Sequence, residues 1–238
     1  VSPAPHVPLR MIATRVAALP DVRVRRIRPL LLPVWQVEVV ATVRDAQPYD
    51  VLDRYLSRAL AETRRRGPAE LAAFFGLPVA LARRVLAGLA AIGHVGPDGT
   101  LTALGRRSVA DGRRYRDLPG RRMTLWFDGL GGAPVPWGHG TGSIWLAAPE
   151  LTLGDGTRFA PLPGAGALSS AAVGELLGRA DVADFAGPLL PVTAEVDAMR
   201  GVWLPVYLVE CDEQRLAFGR AVDGPDPYLG EVLAKIQL

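Results

Sequence analysis

The stretch from Tyr49 to Gly112 is punctuated so closely that it admits few folds. Asp50 to Thr63 places Val51, Leu52, Tyr55, Leu56 and Ala59 at intervals of three and four, the period of a helix with one apolar face. Pro68 then opens a short apolar run to Phe75, because a proline is tolerated in a first helical turn, and Gly76 follows where a left-handed cap is wanted. Gly76-Leu77-Pro78 turns the chain into a third helical run, Val79 to Ile92, closed by Gly93. That run repeats Leu81, Val85, Leu89 and Ile92 on one side and carries Arg83 and Arg84 on another. Two short extended runs around Pro97-Asp98-Gly99 come next, a hairpin signal because these residues accept the backbone angles of a tight turn.

This order of three helices and a hairpin resembles the winged helix-turn-helix superfamily of MarR-, PadR- and ArsR-like regulators. The resemblance is carried by Glu70-Leu71-Ala72, Gly76-Leu77, Arg83-Arg84-Val85-Leu86 with Leu89, Gly93-His94-Val95, and Leu101-Thr102-Ala103-Leu104-Gly105-Arg106-Arg107. It implies a third helix that enters the major groove of duplex DNA and a wing that touches the backbone or minor groove. The matching positions for phosphate contacts are Arg83, Arg84, Arg106 and Arg107, with Arg64, Arg65 and Arg66 as a further basic run before the second helix. Asp50 to Arg122 holds 14 arginines against 7 acids, a local charge of +7 in a chain whose formal net charge is +3. Arginine enrichment alone weighs less than it would elsewhere, since Lys235 is the one lysine among 27 basic residues. The opening of the third helix, Pro78-Val79-Ala80-Leu81-Ala82, lacks the Asn, Gln, Ser or Thr that read base edges. Phosphate contacts are therefore expected to dominate over sequence readout. The same apolar turn suits an alternative use, as a protein-protein interaction subunit of a multicomponent complex docking through Leu77 and Val79.

The flanks read differently. Met11 to Leu19 has helical spacing, and Val22 to Val43 is rich in Val, Ile, Leu and Trp, an extended strand that Pro29 and Pro33 should confine to an edge or a bulge. Val24 to Glu38 aligns without gaps to Val196 to Glu210, with identities at Val24, Arg28, Leu32, Pro33, Val34, Val37 and Glu38 and with Trp35 opposite Tyr207. Two related strands that pair or pack together, with the helical domain inserted between them, are expected from this repeat. Gly129 to Gly142 is dense in glycine and proline and reads as irregular turns.

Chemistry-bearing constellations are sparse. Gly138-His139-Gly140-Thr141-Gly142-Ser143 joins a histidine, a serine and glycines, yet it has no phosphate-loop lysine and no evident third group to hold the histidine, so a flexible loop anchored by Trp137 and Trp145 is expected. His6, His94, His139 and Cys211 have no zinc-ligand spacing, so no metal or other cofactor is expected. Asp181 and Asp184 read as surface carboxylates, and Trp126-Phe127-Asp128 as a packed strand rather than a base-stacking one. The most apolar stretch, Pro29 to Val43, is broken by Gln36 and Glu38 and is too short to span a bilayer. A lone cysteine suits a reducing compartment, hence a cytoplasmic protein. The expected fold class is α+β: an N-terminal helix and β segment over 1–48, a winged helix-turn-helix domain over 49–118 and a β-rich domain over 119–238, the outer segments associating with each other. The expected role is a DNA-binding regulatory protein without catalytic residues.

Overall fold

The apolar run that follows Val22 becomes strand β1, Val24–Pro48, and from Leu30 to Val34 it holds apolar residues buried toward both sides of the sheet. A strand covered on both faces reads as continuous rather than alternating hydrophobicity, and it needs covering layers on each side. The computed structural model describes residues 6–20, 22–163, 166–169, 171–219 and 224–236. It is a mixed α and β structure with one open sheet in the order β2-β1-β4-β5, where β2 is Arg113–Asp128, β4 is Leu190–Cys211 and β5 is Arg215–Phe218. A two-residue strand, β3 (Ala160–Pro161), lies parallel to β1 at Leu30 and Leu31, and β5 runs antiparallel to β4.

Contacts divide the chain into two units. Unit 1 comprises residues 1–41, 122–188 and 194–238, and unit 2 comprises residues 42–121 and 189–193. Strands β1, β2 and β4 each contribute residues to both.

In unit 1 the alternation of the strands sorts the core into two layers. Leu30, Leu32 and Val34 of β1 and Val202, Leu204, Val206 and Leu208 of β4 pack with Trp126, Val135 and Leu162, and with Leu229, Val232 and Leu233 of helix α9, Pro227–Ala234. Leu31, Tyr207 and Val209 point the other way, onto Phe159, Phe218 and Ile12 and Val16 of helix α1, Leu9–Ala17. Each fully buried side chain of this size stabilises by about 1.5–3 kcal/mol relative to exposure.

The two self-similar segments are neighbours in the sheet, as β1 and β4. Their shared Arg and Glu meet across the strands. Arg28 lies 3.1 Å from Glu210, and Arg200 lies 3.3 Å from Glu38, so one sequence pair supplies two equivalent ion pairs. The aligned aromatics also act alike: Tyr207 donates its hydroxyl to the Val7 carbonyl at 2.7 Å, and Trp35 donates its ring N–H to the Gly166 carbonyl at 3.3 Å.

The expectation that Pro29 and Pro33 keep β1 at an edge is corrected, for β1 lies between β2 and β4. The Leu31 carbonyl accepts from Leu162 N–H at 3.0 Å and the Pro33 carbonyl accepts from Gly129 N–H at 2.8 Å. Residues of this parity face the flank where β2 has ended and the short β3 begins, and Pro29 shares that parity. The missing proline donors thus face the broken flank, where no continuous ladder requires them.

Unit 2 holds helices α2 (Val51–Glu62), α3 (Pro68–Phe75), α4 (Val79–Ala91) and α5 (Ala103–Asp111). Gly76 adopts φ 64°, and the Leu77 N–H returns to the Ala72 carbonyl at 2.9 Å, which ends α3 and sets the turn into α4. Leu56, Ala59, Leu60, Leu71, Ala72, Ala82 and Leu89 form the shared interior of the first three helices. The hairpin is short: one bridge, Val95 to Leu101, flanked by Gly96 N–H donating to Thr100 O at 2.8 Å and Thr102 N–H donating to His94 O at 2.9 Å. Helix α5 then packs so closely that a Cβ at Gly105 would overlap the His94 carbonyl. Gly112, at φ 64°, ends α5 and leads straight into β2, which therefore starts at Arg113, inside the stretch the sequence assigns to the helix-turn-helix domain up to residue 118.

Candidate nucleic-acid interface

Charge is concentrated in unit 2, whose residues include 14 arginines against 8 acids, a formal +6. What matters for a polyanion is how many of those guanidiniums remain available after the fold has used its share. Arg44 is spent: Nε and Nη2 donate to the two Asp117 oxygens at 2.7 and 2.8 Å, a side-on pair that ties β1 to β2. Arg58 is held by Glu62 one turn along α2 at 3.0 Å, and Arg114 by Asp53 at 3.1 Å.

The seven arginines marked by the sequence divide in the same way. Arg83 and Arg84 are exposed on α4 and have no ion pair or side-chain hydrogen bond among the described residues. Arg64 is likewise exposed and unpaired, and Arg65 lies over the Phe74 ring, 4.3 Å from its centroid. Arg66 does other work. Its Nη1 donates to the carbonyls of Leu60, Thr63 and Arg65 at 2.9, 2.8 and 3.0 Å and so closes the C-terminal end of α2. Arg106 donates to the Leu101 carbonyl at 2.6 Å, bracing the hairpin against α5. Arg107 lies 3.5 Å from Asp111 and over the Tyr115 ring. Among the described residues Arg54 on α2 and Arg113, Arg116 and Arg121 on β2 are also exposed and without an ion pair. Arg113, Arg116 and Arg121 belong to an arginine-rich stretch, five arginines in residues 113–122, whose exposure is legible only once that stretch is known to be a strand.

The outer face of α4 is low as well as basic. Ala80, Arg84, Ala87 and Ala91 form an exposed stripe at helical spacing, with Arg83 beside it.

Beneath the hairpin, His94 and Ser108 are fully buried. His94 Nε2 lies 2.6 Å from the Tyr115 carbonyl, which requires a ring N–H there, and 3.2 Å from Ser108 Oγ. Burial pushes the His94 imidazole below its ordinary value, with the Tyr115 carbonyl pulling the other way. This cluster fixes the root of the hairpin on the start of β2.

Gly138 to Ser143 is mostly a helix, α6 (Trp137–Gly142), rather than a flexible loop. Gly140 sits so close to the Trp126 ring that a Cβ would overlap it, and the Trp145 N–H donates to the Gly140 carbonyl at 2.8 Å. The group that holds His139 comes from 87 residues away: Asp226 Oδ2 lies 2.7 Å from His139 Nε2. Asp226 also accepts from Leu229 N–H at 3.1 Å as the cap of α9. Burial pushes this carboxyl up, but His139 and the Leu229 amide outweigh it and hold it below its usual value. The pair is a clasp from α6 to the start of α9. A pocket of about 310 Å³ beside it is lined by Ser143, Leu204 and Leu229. Trp126, Phe127 and Asp128 are buried, Asp128 accepting from the amides of Leu130, Gly131 and Ala133, which leaves no face for a nucleobase. Asp181 binds Arg179 at the surface at 2.6 Å. Among the described residues no group of His, Cys, Asp or Glu could hold a metal ion, and no helix is long and apolar enough to cross a membrane. Compared with known proteins, the chain matches no family model, no curated protein and no solved structure.

Proposed function

We propose that the helices and hairpin of unit 2 are a winged helix-turn-helix module, of the MarR-, PadR- and ArsR-like kind, that binds duplex DNA mainly through its phosphates and serves regulation by binding. The observation that carries this reading is the outer face of α4: Arg84 set among Ala80, Ala87 and Ala91, with Arg83 beside them, both arginines exposed and without acid partners among the described residues. A helix with side chains is about 10–12 Å across and the major groove about 12 Å wide, so short side chains on the leading face favour entry. Arg83 at the edge of this face, and the long side chain of Arg84 extended from it, can reach phosphates on the groove wall, and the absence of polar side chains at the start of α4 leaves little base readout. Arg64 before α3 and the β2 arginines supply further unpaired charge within the same unit.

A mobility-shift titration of random-sequence duplex across salt concentrations tests the reading. Binding should be sequence-tolerant and weaken steeply with salt. Absence of any shift at low salt, where phosphate contacts are strongest, refutes it.

A further inference from the structure

The face of unit 2 formed by α2 and α3 is apolar and exposed. Val51 and Tyr55, one turn apart on α2, are 68% and 52% exposed, and Phe74 on α3 is 49% exposed. They form a continuous strip, since the Tyr55 and Phe75 rings are 6.5 Å apart and Phe75 meets Phe74 edge-on at 4.8 Å. Large aromatic side chains grouped at the surface mark interaction sites, whereas isolated ones do not.

The charges around the strip select the occupant. Arg54, on α2 between Val51 and Tyr55, and Arg64 are exposed and have no ion pair among the described residues, and Arg65 stacks on Phe74 at 4.3 Å. Three nearby acids are committed, Glu62 to Arg58, Asp53 to Arg114 and Glu70 to the amides of Arg66 and Gly67, which leaves Asp50 as one exposed acid against Arg54, Arg64 and Arg65. Asp50 lies beyond Val51, at the start of α2. An apolar strip with unpaired cations at its rim complements a segment with apolar anchors and acidic flanks. A stacked nucleobase fits less well, because the Arg65 guanidinium already covers a face of Phe74 and Val51 offers no ring.

We infer that this α2/α3 face docks a short acidic amphipathic segment of another protein, with Tyr55 and Phe74 as the anchoring contacts and Arg54 and Arg65 pairing its carboxylates. Its residues belong to α2, α3 and the turn between them and none to α4, so the inference does not rest on the proposed DNA binding.

The test selects binders to the full-length chain from a display library of random 16-residue peptides. Enriched peptides should carry Leu, Phe or Trp at helical spacing with Asp or Glu alongside. Measured by fluorescence anisotropy, a synthetic copy of the most enriched peptide should lose about tenfold in affinity on Tyr55→Ser or Phe74→Ser, the loss expected of an interface anchor. Arg65→Ala should lessen the salt dependence, and Arg83→Ala/Arg84→Ala should leave the affinity unchanged. Circular dichroism checks that the variants, all at exposed positions, remain folded. No enrichment, enrichment of basic or neutral peptides, binding indifferent to Tyr55 and Phe74, or displacement from those residues by single-stranded DNA would each overturn the inference.

Discussion

Replacing Arg83 and Arg84 by alanine tests the proposed phosphate binding separately from the fold. Both side chains are exposed on α4 and neither meets an acid, so their loss should change stability by no more than about 0.5 kcal/mol. If the proposed DNA binding holds, the effect on DNA is larger. Each phosphate contact releases counterions with a slope of about 0.9 in log K against log salt, so at about 0.15 M one contact is worth about fivefold and two about 30-fold. The double variant should therefore bind about 30-fold more weakly near physiological salt, with a salt slope lower by about 1.8. Arg58→Ala is the control within the same unit, because Glu62 at 3.0 Å already neutralises Arg58. Fluorescence anisotropy with a labelled random-sequence duplex, repeated at several salt concentrations, gives affinity and slope together. An unchanged slope in the double variant, or an equal loss in Arg58→Ala, refutes the assignment of α4 as the DNA-facing helix.

Three further outcomes probe the physics of unit 2. A double-mutant cycle should give the partly buried, side-on Arg44–Asp117 pair a coupling of about 1.5 kcal/mol and the exposed Arg58–Glu62 pair about 0.3–0.5 kcal/mol in urea denaturation; equal couplings would contradict the weight given to partial burial and side-on geometry. Helical circular dichroism is the suitable probe, since all five tryptophans belong to unit 1. His94 has a folded-state pKa below its ordinary 6.5, so the stability it confers is complete above 6.5 and is lost as pH falls from there through the lowered folded-state value. Urea midpoints between pH 8 and 5 should fall in the parent chain and flatten in His94→Gln, and parallel curves would show that another group titrates. Gly105→Ala should cost about 3 kcal/mol or more, because its methyl overlaps the His94 carbonyl, whereas Gly88→Ala, with open space around it, should be neutral or stabilising.

Much of unit 2 is legible in the sequence because its signals are local. Periodicity, Pro68, Gly76 and Gly93 place α2, α3 and α4 within about one residue of their observed ends. Helix α5 and the early start of β2 are less visible, since Ala103 to Asp117 is rich in arginine and its burial is decided by His94, Ser108 and Tyr115 meeting across the hairpin. The roles of the arginines split for the same reason. Position in the chain marks Arg66 and Arg83 alike, but Arg66 is turned into three backbone carbonyls and Arg83 is left to solvent.

By itself the sequence determined the helix order, the hairpin turn, the concentration of charge and the kinship of two strands, because each follows from residues near one another in the chain. Tertiary structure decided what depends on distant neighbours. It set β1 beside β4, so that Arg28 and Arg200 each find the other strand's glutamate, and it brought Asp226 to His139. It also exposed Val51, Tyr55 and Phe74, which their helices' apolar spacing alone would have sent inward. Backbone preferences act over a few residues, whereas burial and charge pairing are set by whatever the fold brings alongside.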